Sequence, residues 1–215
     1  MLNGKKLSIL GDSISTYQGF SNDETANTTI IGNPFYYCGD FPQERTYWGR
    51  IINDLGLVLC VNNSYSGGML SGRDNDFSGV NRAHHLSRDD GMLPDLIIVF
   101  MGMNDLGRRV DAQVFADDYE LTLSIIKKNH PDAKVCCVNI PDRDIFLKQD
   151  AEIFNEAIES AVKKYGDSFF IADLYHSRLN NDFYYMNTTD GLHPDEDGMA
   201  IIAEIVKDAI IKKYS

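Results

Sequence analysis

Five short, nearly unbroken apolar runs constrain this chain more than any other feature. They are KLSIL (6–10), LVLCVNN (57–63), LIIVFMG (96–102), KVCCVNI (134–140) and SFFIADL (168–174). A strand with one wet face alternates apolar and polar residues, whereas a strand buried on both faces reads as a continuous run. Segments of helical period separate the runs. Residues 46–55 form a short one that ends at Gly56. Residues 111–129 carry Val114, Phe115, Tyr119, Leu121, Leu123 and Ile126 on one broad stripe, with Pro131 just beyond as a stop. Residues 149–165 repeat Ile153, Phe154, Ala157, Ile158, Ala161 and Val162 at a spacing of about 3.6 and close at Gly166. Residues 196–213 form a last helix through Met199, Ile201, Ile202, Ile205, Val206 and Ala209. Strands alternating with helices predict an α/β fold, a parallel sheet covered on both faces, in a single domain over 1–215.

The charge balance narrows the partners. There are 32 acidic against 20 basic residues, a formal net charge of −12. Non-specific nucleic-acid binding needs a basic surface, and so does docking on an anionic membrane; neither is expected here. No apolar run exceeds strand length, so no membrane span is predicted. The start, MLNGKKLSIL, lacks the long apolar core and cleavage site of a secretory signal. The expectation is a cytoplasmic chain, or a secreted one if a leader preceded this sequence. Of the cysteines, Cys38, Cys60, Cys136 and Cys137, none forms a C-x-x-C pair or stands at zinc spacing from a histidine. Cys136 and Cys137 are neighbours in one strand and should point to opposite faces, as buried reduced thiols.

In an open parallel sheet, active sites lie outside the carboxyl ends of the strands. The first strand ends in Gly11-Asp12-Ser13, the second in NNSYSGG (62–68), the third in GMND (102–105). DGLHPDEDG (190–198) precedes the last helix. A serine after a strand is usually a loop or capping residue, and its hydroxyl is a poor nucleophile without a base. His193 is the candidate base. Asp190, three residues earlier, can bond one ring nitrogen while the other faces Ser13, and Pro194 keeps the chain at His193 extended. An acyl transfer also needs donors where negative charge develops. The side-chain amide of Asn104, the backbone N–H of Gly67 and that of Ser13 are the candidates. Asp12 reads as a brace or cap for the turn.

GDS at 11–13, NNSYSGG, GMND and DGLH, in this order, resemble the four blocks of the SGNH (GDSL-type) hydrolases. The resemblance implies a flavodoxin-like three-layer α/β/α sandwich and a cofactor-free, metal-free acyl-enzyme mechanism. It implies Ser13 as nucleophile and oxyanion donor, Gly67 and Asn104 as further donors, and Asp190 and His193 as the acid and base. It also implies an ester or acetyl substrate in most cases; the expected partner is a small-molecule ester, with an acylated carbohydrate or similar alcohol as the first hypothesis. No G-x-S-x-G elbow is present, so the chain does not resemble the α/β-hydrolases.

Two long irregular stretches, 17–45 and 68–94, interrupt the pattern, and loops of this length are commonly functional. The first region carries Tyr17, Phe20, Phe35, Tyr36, Tyr37, Phe41, Tyr47 and Trp48. These can wall a substrate site, with Tyr17 and Trp48 as the named candidates, or simply pack the loop down. Arg73, Arg82, His84 and His85 in the second can touch substrate or lie on the surface. Three other readings stay open at this point: a silent binding domain on the same fold, a metal-dependent phosphoesterase using Asp12, Asp105, Asp190 and His193, and an FMN or signalling domain. The loop after the first strand is no phosphate cradle, which weighs against the last.

Overall fold

The first strand sets the architecture. Lys6–Gly11 (β1) is buried from Leu7 onward and pairs in parallel with Val58–Ser64 (β2) on one side and Leu96–Phe100 (β3) on the other. Lys134–Val138 (β4) and Phe169–Ala172 (β5) extend the sheet, giving the order β2-β1-β3-β4-β5 with every pair parallel. The structure is a computed structural model that describes residues 2–17, 19–20, 41–141, 148–177, 179 and 188–215. All five apolar runs become strands, close to their expected bounds.

Six helices are described: Tyr47–Leu55 (α1), Gly79–Arg82 (α2), Met103–Gly107 (α3), Ala112–Asn129 (α4), Lys148–Lys163 (α5) and Glu196–Tyr214 (α6). Local chemistry fixes their ends. Thr46 accepts from Gly49 N and Asp195 from Gly198 N, while Asp111 accepts from the N–H groups of Gln113 and Val114. Gly56 closes α1 in the left-handed conformation.

The sheet separates two cores. Leu7, Ile9, Ile98 and Cys136 meet Trp48, Ile51, Ile202 and Val206 from α1 and α6. Leu10, Ile97, Val99 and Cys137 meet Phe115, Tyr119, Phe154 and Ile158 from α4 and α5. The result is the three-layer sandwich expected, and Cys136 and Cys137 do face opposite sides. Two stripe positions differ from expectation: Val114 and Ile153 are exposed. Each stands one residue, about 100° of helix, before the aromatic residue that leads the buried face. Among the described residues, no helix is long and apolar enough to cross a membrane.

The strand order reverses between β1 and β3. The crevice outside their carboxyl ends is where ligands bind in such sheets. Gly11 ends β1 there, and β3 leads into Gly102 and Asn104.

Candidate active site

Ser13 opens a one-turn 3-10 helix, Ser13–Ser15, directly after β1. Asp12 caps it, its carboxylate accepting from Ile14 N at 3.0 Å. Glycine is required at position 11 because a Cβ there would lie 2.5 Å from the Ser15 side chain and 2.7 Å from Ser64 Oγ. The turn is then held from several sides. Thr16 Oγ1 donates to Ser13 O at 2.8 Å, and Ser15 O accepts from Asn62 Nδ2 at 2.8 Å and Trp48 Nε1 at 3.1 Å. Ser15 Oγ shares a hydrogen bond with the Tyr47 hydroxyl. Trp48 is thus not a substrate wall. It is fully buried in the core of α1 and α6, and its indole N–H braces the turn from behind.

The chain returns to Ser13 from just before α6. Ser13 Oγ lies 2.9 Å from His193 Nε2, and His193 Nδ1 lies 2.8 Å from Asp190 Oδ2. The D-x-x-H spacing works through a tight turn. Asp190 Oδ1 accepts from the N–H groups of Leu192 (3.0 Å) and His193 (2.8 Å), so one carboxylate fixes both the turn and the ring. Thr189 N donates to His193 O, and Thr188 bridges Pro194. Partial burial pushes the Asp190 carboxyl up, but the N–H groups of His193 and Leu192 and the His193 ring outweigh it and hold it at about 2. Ser13 and His193 are both buried.

The second and third blocks meet beside this relay. Gly68 N donates to Tyr65 O at 3.0 Å, which closes a turn with Gly67 in its third position at φ +73°. That is the type II position where glycine is favoured. Asn104 Nδ2 donates to Gly68 O at 3.0 Å and stands 3.4 Å from Asp12 Oδ2. Asp105 faces away from the relay. Fully buried, it accepts from Leu70 N (2.7 Å), Ser71 N (2.9 Å) and Ser71 Oγ. It therefore pins the chain that follows Gly67 and Gly68 to the start of α3.

Arg82 is the residue that sequence reasoning placed poorly. Its guanidinium is buried and donates to Gly11 O at 3.0 Å, Phe77 O at 2.8 Å and Asn63 O. It ties the carboxyl ends of β1 and β2 together immediately before Asp12 and Ser13. Its charge also lies near the buried Asp12. Burial raises Asp12 to about 7, against the pull of Ile14 N and Arg82, and burial raises Asp105 as well. The folded chain thus keeps the Asp12 proton up to about pH 7, whereas the unfolded chain loses it near the ordinary value of 3.8. The associated stabilisation is full below about pH 4 and is lost as pH rises to 7, roughly 4 kcal/mol in all. Asp12→Asn should flatten this slope in denaturation measured from pH 4 to 8. An unchanged slope would mean that Asp12 does not carry it.

The remaining candidates scatter. Tyr17 is half-buried, its hydroxyl donated to Phe41 O at 2.8 Å and its ring edge-on to Phe20. Arg73 pairs with Asp118, and His84 and His85 are exposed. Phe35, Tyr36 and Tyr37 lie outside the described residues, as does Cys38. Asp105 and Asp190 spend their oxygens on backbone N–H groups, Ser71 and His193. Among the described residues, no three acidic, histidine or cysteine side chains converge as cation ligands.

Comparison with known proteins agrees with this architecture. The family model of the GDSL-like lipase/acylhydrolase family matches residues 9–201, and the chain belongs to that family. It is accordingly an ester-hydrolysing enzyme. No curated protein matches the chain. Among solved structures, a protein of Bacteroides ovatus described as a GDSL-like lipase is 23% identical, with a TM-score of 0.75 over 98% of this chain and 99% of that one. A counterpart from Bacteroides uniformis is 25% identical, with a TM-score of 0.72 over 97% and 96%. A family 3 carbohydrate esterase from Talaromyces cellulolyticus is 18% identical, with a TM-score of 0.66 over 97% of each chain.

Proposed function

We propose that this enzyme is a serine esterase that removes a small acyl group, acetyl above all, from a carbohydrate or similar alcohol. The observation that carries the reading is the continuous relay from Ser13 Oγ through both ring nitrogens of His193 to Asp190. His193 Nε2 takes the Ser13 proton as Oγ attacks the ester carbonyl, and the Asp190 carboxylate stabilises the imidazolium that forms. The tetrahedral intermediate collapses with loss of the alcohol, which receives that proton from His193 and leaves Ser13 acylated. Water, deprotonated by His193, then releases the acid and restores Ser13.

The oxyanion is held by three donors. Ser13 N–H is at the first position of its 3-10 turn, where backbone N–H groups lack a partner within the helix. Gly67 N–H sits in a turn on a residue with no side chain of its own. Asn104 has one amide hydrogen committed to Gly68 O, and the other makes only the long contact with Asp12, so an oxyanion can take it. Tyr17 is left as the candidate substrate contact on the loop side. The likeness to a carbohydrate esterase is one of fold, and it is the reason acetylated sugars are the class to test first.

The silent binding domain would leave an intact serine–histidine–acid relay without use. The phosphoesterase reading would need Asp105 and Asp190 to abandon the hydrogen bonds that hold their turns. The test is turnover of p-nitrophenyl esters of increasing chain length and of acetylated sugars, with and without EDTA. Acetyl esters should be cleaved fastest, with no effect of the chelator. A folded enzyme that prefers long acyl chains, or loses its rate in EDTA, would overturn the reading.

A further inference from the structure

We infer that Arg108 is a specificity-determining residue that binds a carboxylate on the ester substrate; this rests on the serine esterase reading above. Asn104 and Arg108 stand four residues apart across α3, on one face of the helix, and Arg108 N bonds Asn104 O at 3.0 Å. Both side chains reach the same turn. Asn104 Nδ2 bonds Gly68 O, and Arg108 Nη2 lies 3.6 Å from the point where a Cβ of Gly67 would stand. The guanidinium therefore covers the open side of the glycine whose N–H is the proposed oxyanion donor.

Among the described residues, that cation has no partner of its own. Arg45 and Arg50 pair with Glu196, Arg73 with Asp118 and Arg88 with Asp90, while Arg82 is spent on backbone carbonyls. Among the described residues, the Arg108 side chain has neither an ion pair nor a hydrogen bond, although the chain as a whole is strongly acidic. Arg109 does not share the position. Its backbone is left-handed (φ +55°), and it lines a small cavity with Leu106, Asp150 and Phe154. A planar guanidinium fork matches the two oxygens of a carboxylate. An acylated sugar acid is the natural class of such a substrate.

The test compares three acyl esters in the wild type, Arg108→Gln and Arg108→Lys: p-nitrophenyl acetate, p-nitrophenyl hemisuccinate and 4-acetoxybenzoate. The first is neutral, the second carries its carboxylate on the acyl part, the third on the alcohol part. The wild type should prefer one charged ester over the neutral one, mainly through KM, and added salt should erode that preference. The charged-to-neutral ratio of kcat/KM should fall about tenfold to a hundredfold in Arg108→Gln and less in Arg108→Lys. The favoured charged ester reports which part of the substrate lies beside Gly67. A ratio that is the same in wild type and Arg108→Gln overturns this inference while leaving the esterase intact. Failure of the folded wild type to cleave any of the three overturns the esterase reading and this one together.

Discussion

Replacing Ser13 by alanine is expected to lower ester turnover by about 10⁴- to 10⁶-fold while leaving the fold intact. The change removes the attacking oxygen and little else. The Ser13 carbonyl still accepts from Thr16 Oγ1, and Asp12 still caps the turn through Ile14 N. The one bond lost is that to His193 Nε2, worth roughly 1 kcal/mol. Asp190→Asn is a sharper companion. Oδ1 of Asp190 serves two backbone N–H groups, and Oδ2 accepts from the ring. An amide that keeps its oxygen on the backbone must point its NH₂ at His193 Nδ1. That nitrogen would then have to accept, which moves the ring proton to Nε2 and leaves no base facing Ser13; a loss of about 10⁴-fold in kcat follows. Steady-state kinetics beside denaturant melts check both variants. Because Asp190 is held at about 2, the acid limb of the pH–rate profile should come from protonation of the imidazole and not of the carboxylate.

The second large effect falls on stability. Arg82→Met keeps length and burial but removes the guanidinium donors to Gly11 O, Phe77 O and Asn63 O. It also removes the cation near Asp12. Leaving buried polar groups uncompensated costs about 3–5 kcal/mol, which for a chain of this size lowers Tm by roughly 10 °C. Arg82→Lys should recover only part of this, since one ammonium cannot span three carbonyls held in a fork. Chemical denaturation gives the difference directly. A change below about 1 kcal/mol in Arg82→Met would mean that Arg82 does not hold the strand ends.

Much of this was legible in the residues, for physical reasons. Strands buried on both faces leave unbroken apolar runs, so all five strands and the four longer helices stood out. Asp190 and His193 were readable because their contact is local, made within one turn. Ser13, Gly67 and Asn104 followed because a parallel sheet gathers its carboxyl ends. Arg82 did not follow. It sits on the four-residue α2, too short to leave a period, and its partners are backbone carbonyls, which have no sequence signature. The residues likewise left Trp48 two places, a substrate wall or the packed interior, and the structure puts it in the interior. Tyr47, Trp48 and Ile51 share the inward face of α1, and only the packing of α1 on α6 fixes which way that face turns.

The central claim is that the acyl group passes through Ser13. Its most direct test is to mix the enzyme with an acetyl ester, quench in acid within the first turnover, and locate the acetyl group by peptide mass spectrometry. The account predicts an acetyl group on the peptide that bears Ser13, lost as the substrate is exhausted and absent in Ser13→Ala. Acetyl transfer to another residue, or full turnover by Ser13→Ala, would contradict it.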